Sequence, residues 1–70
     1  MNPTQKHMTF MKSLINARVL GSMADLMTAC PDPEQLPNLE ESLRFVKCCH
    51  EHGRPVRVTD VVHGLCETCH

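Results

Sequence analysis

Five cysteines and five histidines stand in this seventy-residue sequence, and eight of those ten side chains lie between positions 48 and 70. Seven of the eight form two clusters, Cys48-Cys49-His50-Glu51-His52 and Cys66-Glu67-Thr68-Cys69-His70, with His63 between them. The clustering constrains the fold because the chain has few other means of holding its back third. Phe10 and Phe45 are the only aromatic residues, with no Trp or Tyr. Rings usually carry much of a small core, so this one must be built from Leu, Val, Met and Ala. A chain of this size buries only about 60% of its unfolded surface. Such chains generally need a disulfide, a structural metal or a partner.

Three features favour metal over disulfide. The stretch Met1–Lys12 mixes polar and charged residues with its apolar ones and lacks the continuous apolar core and cleavage site of an export signal. A cytoplasmic, reducing location is therefore expected, where stable disulfides are rare. The odd cysteine count also leaves one thiol over in any complete pairing. No stretch approaches the roughly 20 apolar residues of a membrane span, so no membrane association is expected.

The pattern along the chain predicts a mostly α fold of three to four short helices in a single small domain, residues 1–70, with a zinc-stapled C-terminal segment. A Met-rich helical front (1–30) is followed by a Pro-bearing connection (31–37), then a helix and Cys/His module (38–70). In the front, Thr4 is the expected cap of a helix running through Gln5–Leu20. Met8, Met11, Leu14, Ile15 and Val19 recur at helical spacing. Gly21 either breaks or bends it, and Ser22 with Asp25 forms a capping pair that restarts a shorter helix. Asp32-Pro33 suits an isolated turn.

Asn38 with Glu41 predicts a capped helix over 38–52, stopped at Gly53, with an apolar face of Leu39, Leu43, Val46 and His50. Glu40 and Glu41 suit the positive end of its dipole. Pro55 makes 54–58 a short extended arm. Thr59 is the expected cap of a last short helix carrying Val61, Val62 and Leu65.

The metal set predicted from spacing is Cys49-x2-His52, thirteen intervening residues, then Cys66-x2-Cys69. Two short ligand pairs separated by a loop can converge on one tetrahedral Zn²⁺. At 100° per residue, Cys49 lies at the edge of the Leu39/Leu43/Val46 face and Cys48 well away from it. His52 lies about 60° from Cys49, so both could reach one ion beyond the helix end. Cys48, His50 and His70 are the alternates. The zinc would be structural, contributing on the order of 10 kcal/mol in small modules. Cys30 reads as a small hydrophobe, His63 as a helix-surface residue, and His7 as having no role.

Other chemistry fits less well. Cys66-Glu67-Thr68-Cys69-His70 matches the haem-attachment pattern, but export, a second axial ligand and apolar pocket walls are not evident. A thioredoxin-like dithiol would need a βαβ unit. No Ser/His/Asp series, paired carboxylates or phosphate loop is identifiable, so no enzymatic activity is expected.

Binding is the remaining class. With a net charge of −1, the chain is no general polyanion binder. Residues 32–41 carry four acids and no base, whereas 44–57 carry Arg44, Lys47, Arg54 and Arg57 against Glu51 alone. Those four cations are the candidate nucleic-acid or partner contacts, although Glu40 precedes Arg44 by four as an ordinary helix pair. A DNA-reading helix-turn-helix is weakened by a six-residue connection and by Asp60, Val61, Val62 and His63 on the last helix. The Met-rich front suits an adaptable apolar surface for a protein partner or a homodimer. The expected function is a non-catalytic zinc-binding regulator or inhibitor docking on a protein, plausibly in transcription or nucleic-acid machinery. Direct DNA binding through Arg54, Arg57 and the last helix is the alternative.

Overall fold

Asn2, Ser22, Asp32 and Asn38 start four of the five helical elements in the same way, each side chain accepting a backbone N–H two or three residues on. The computed structural model describes residues 2–66. Among these residues the chain forms α1 (Pro3–Asn16), α2 (Met23–Ala29), a 3-10 turn (Pro33–Gln35), α3 (Leu39–Glu51) and α4 (Val58–His63), with no strand. The mostly α architecture of four helices agrees with the sequence pattern.

The cap of α1 is Asn2, two residues before the expected Thr4. Asn2 and Gln5 form a reciprocal capping box with Pro3 at the first helical position. The helix also ends early, at Asn16, with Arg18 in the left-handed region at φ 64°. Gly21 is therefore not the breaker of a long helix. It lies in a connection where Leu20 N–H donates to Val56 O and Val58 N–H donates to Leu20 O, both at 2.9 Å. This single parallel bridge is all the sheet-like pairing that residues 54–58 make among the described residues.

The buried stripe of α1 is His7, Phe10, Met11 and Leu14, and Met8 and Ile15 are left exposed. In α3 the apolar face also departs from the expected one. Ser42, Val46 and Cys49 are buried and Phe45 half-buried, whereas Leu43 and His50 are exposed. Relative to the Leu39/Leu43/Val46/His50 series, the helix has rolled to turn Cys49 into the core. There it joins Leu14, Leu26, Val56, Val58, Val61 and Cys66.

The end of α3 is a complete Schellman cap: Arg54 N–H donates to Cys49 O at 2.9 Å and Gly53 N–H to His50 O at 3.1 Å, with Gly53 at φ 66°. Helix α4 is entered at Arg57 rather than Thr59. Arg57 N–H donates to the Asp60 carboxylate at 3.3 Å. At its end, Gly64 and Leu65 N–H groups donate to Asp60 O at 2.7 and 3.2 Å. The two helix ends thereby present Cys49 and Cys66 to one another.

His7, expected to have no role, is a core residue at 1% exposure, and its Nε2 lies 2.9 Å from Cys30 O. It joins α1 to the end of α2 and gives that buried carbonyl a donor. Lys6 and Glu34 form a 2.6 Å ion pair nearby, from α1 to the 3-10 turn.

Candidate functional site

The Schellman cap ties the backbones of Cys49 and Arg54 together, and α4 brings Asp60 and Cys66 to the same place. These residues line a half-open cleft of about 270 Å³ with Phe45, Pro55 and Leu65. Cys49 and Cys66, seventeen positions apart in sequence, are 4% and 3% exposed and carry free thiols. Their side chains are hydrogen-bonded to one another. Burial pushes the Cys49 thiol up to about 11, helped by the hydrogen bond and charge of Cys66. Arg54 pulls the other way, and Asp60 adds to the rise. Cys49 therefore holds its proton well above the usual thiol range, with the Cys66 side chain beside it in the cleft wall.

The other candidate ligands are placed less favourably. His52 is exposed and folds back along α3, its Nδ1 lying 2.8 Å from Cys48 O and 3.5 Å from Cys48 Sγ. A carbonyl accepts only from a protonated Nδ1, so a neutral His52 ring has its acceptor lone pair on Nε2. His52 does not line the Cys49/Cys66 cleft. His50 is on another face, beside Ala17, Leu43, Val46, Lys47 and Glu51. Cys69 and His70 lie outside the described residues. Among the described residues, no three His, Cys, Asp or Glu side chains come close enough to hold a metal ion.

Cys48 is disulfide-bonded, contrary to the expectation that no disulfide forms. The odd cysteine count excludes complete pairing but not a single bond. Adjacent positions on a helix point about 100° apart, so Cys48 sits half-buried at the rim while Cys49 enters the core.

The four candidate contact cations are spread over three surfaces. Arg44 and Lys47 share the outer side of α3 with Glu40 and Leu43. Arg44 lies 3.9 Å from Glu40 across one helical turn. Arg54 lines the thiol cleft, and Arg57 lines a separate cleft with Leu20, Gly21, Asp25, Val58 and Thr59. Asp60 was invisible as a neighbour of the thiols from sequence, where its local pattern signals only a helix start.

Met8, Met11, Lys12, Ile15, Ser22 and Met23 form a shallow, almost wholly apolar groove between α1 and α2. No helix is long and apolar enough to cross a membrane among the described residues. Comparison with family models, curated proteins and solved structures finds no match to this chain.

Proposed function

We propose that this chain is a small, non-catalytic zinc-binding module of the cytoplasm that acts as a regulator or inhibitor by docking on a protein partner. The observation that carries the metal reading is the meeting of the Cys49 and Cys66 thiols at the capped ends of α3 and α4. Two adjacent buried thiols suit a divalent, thiolate-seeking cation. Zinc binding would release their protons, and its charge would offset that of the two thiolates. In the fully reduced chain, Cys49 and Cys66 would supply two ligands, with His52 from the end of α3 and Cys69 completing the set. The ion would tie α3 to the C-terminus.

The docking reading is supported by the groove beside Lys12. Met8 and Ile15 flank it at 44% and 57% exposure, and methionine side chains adapt readily to a partner's shape. A second copy of the chain, pairing through the same helices, is the other occupant this groove suits. The scatter of Arg44, Lys47, Arg54 and Arg57 over three surfaces favours a protein over DNA, because a duplex needs its phosphate contacts on one face.

The test is a zinc titration of reduced, chelator-stripped protein followed by far-UV circular dichroism and thermal melting. An equimolar gain in melting temperature, lost in Cys49→Ser and Cys66→Ser, is expected. A melt indifferent to zinc would remove the metal reading. Retention on duplex DNA at low salt would favour the DNA-binding alternative instead.

A further inference from the structure

We propose that Cys49 and Cys66 are also a modification site, a dithiol that small-molecule disulfides of the glutathione class close into an intrachain bond. The inference needs only the thiol pair and is independent of whether zinc binds there, although in a zinc-loaded chain it removes two of the proposed ligands.

Three observations carry it. Cys49 and Cys66 line the same cleft and pack in the same core cluster, so no distant segment has to be brought in to close a disulfide between them. They line a half-open cleft whose wall carries Arg54 as well as Asp60, so a small disulfide has a route to the buried thiols and one cation to meet its carboxylates. Cys48, the residue before Cys49 on α3, is disulfide-bonded, so a disulfide already forms at this end of the helix. Cys30 makes a useful contrast. It is a buried free thiol at the end of α2 whose Sγ–H donates to Asp32 O at 3.3 Å, and it does not line the Cys49/Cys66 cleft.

The chemistry balances without a further co-reactant. One of the two thiols, as its thiolate, attacks a sulfur of the external disulfide RS–SR. A mixed disulfide forms, and the leaving thiolate takes up that proton as RSH. The second thiol then attacks the protein sulfur of the mixed disulfide, forming the Cys49–Cys66 bond and releasing a second RSH. The two protein thiols are oxidised by two electrons, and one external disulfide is reduced to two thiols. This differs from a Cys-x-x-Cys oxidoreductase because the product is a cross-link between two helix ends, not a disulfide passed on to a substrate.

The experiment uses the full chain with Cys48→Ser and Cys69→Ser, which leaves Cys30, Cys49 and Cys66. The folded variant is equilibrated with oxidised glutathione, alkylated and digested with trypsin. Peptide 48–57 linked to peptide 58–70 is the expected product, absent when Cys66→Ser is added and reversed by excess reduced thiol. The same link, located by fragmentation of peptides from the wild-type chain, keeps the test decisive if the variant does not fold. Cys49 and Cys66 recovered singly glutathionylated, or still reduced, would overturn the proposal. Zinc content of the reduced wild-type chain is measured in parallel. Zinc bound with no link sinks this inference alone, and a link with no zinc bound sinks the metal reading alone.

Discussion

Replacing Gly21 by alanine tests how the front of the molecule is locked to the back. Gly21 has φ +147°, a region L side chains rarely adopt, and its neighbour Leu20 bridges Val56 and Val58. A Cβ built there would lie 2.3 Å from Val58 Cγ2 and 2.9 Å from Val58 Cβ. Val58 has no room to retreat, being 1% exposed at the first position of α4. Holding a non-glycine residue in such a backbone region costs about 1–3 kcal/mol. Forcing a methyl group into a packed core costs about 1–3 kcal/mol more. At roughly 0.05–0.15 kcal/mol per residue, a chain of this length has only about 3.5–10 kcal/mol in all.

Gly21→Ala is therefore expected to remove at least about 2 kcal/mol, lowering the melting temperature by about 8–16 °C in a domain of this size. Urea unfolding gives the free energy, and a double-mutant cycle with Val58→Ala separates the two causes. Removing Cγ2 should recover the larger share of the steric part, leaving the 2.9 Å approach to Val58 Cβ and the backbone part, a coupling on the order of 1 kcal/mol. A Gly21→Ala effect within about 0.5 kcal/mol of zero, as for an ordinary surface change, would refute the close approach of Leu20–Gly21 to α4.

Three further outcomes follow from buried polar groups. His7→Phe leaves the Cys30 carbonyl without its 2.9 Å donor and should cost about 1–3 kcal/mol in urea unfolding. Ser42→Ala should be neutral or stabilising by up to about 1 kcal/mol by the same assay, because the Ser42 hydroxyl is buried without a hydrogen-bond partner and alanine is the better helix former. In the metal-free, reduced protein, stability should fall as pH rises above about 9. Unfolded Cys49 ionises near its ordinary 9.0, whereas the folded thiol holds its proton to about 11, so the unfolded state alone loses that proton across the window. Denaturant midpoints measured from pH 8 to 11 would check it, and Cys49→Ala should flatten the slope.

Local signals were legible in the sequence to the extent that a cap and its helix lie within three residues of each other. Ser22/Asp25, Asp32-Pro33, Asn38 and Gly53 all act as their sequence context suggested. The start of α1 was misplaced because Thr4 and Asn2 are both competent caps, and only Asn2 has Pro3 and Gln5 in register behind it. Its end carried no local mark. Arg18 takes a left-handed backbone next to Leu20, which bonds to Val56 and Val58 some 36–38 positions away.

The roll of α3 was hidden for a similar reason. Leu39/Leu43/Val46/His50 and Ser42/Phe45/Val46/Cys49 are both helical stripes, and the choice between them depends on what packs opposite. Ligand spacing grouped Cys49 and Cys66 as ligands of one ion, and the two line one cleft. The contact of His7 with Cys30 was not, since a histidine and a backbone carbonyl leave no pattern at a separation of 23.

Native mass spectrometry of the purified chain, with its thiols kept reduced, addresses the zinc reading most directly. The account predicts one Zn²⁺ per chain, a mass consistent with protons displaced from the ligand thiols, and loss of the ion in both Cys49→Ser and Cys66→Ser. A folded, metal-free chain that takes up no zinc when zinc is supplied would contradict it.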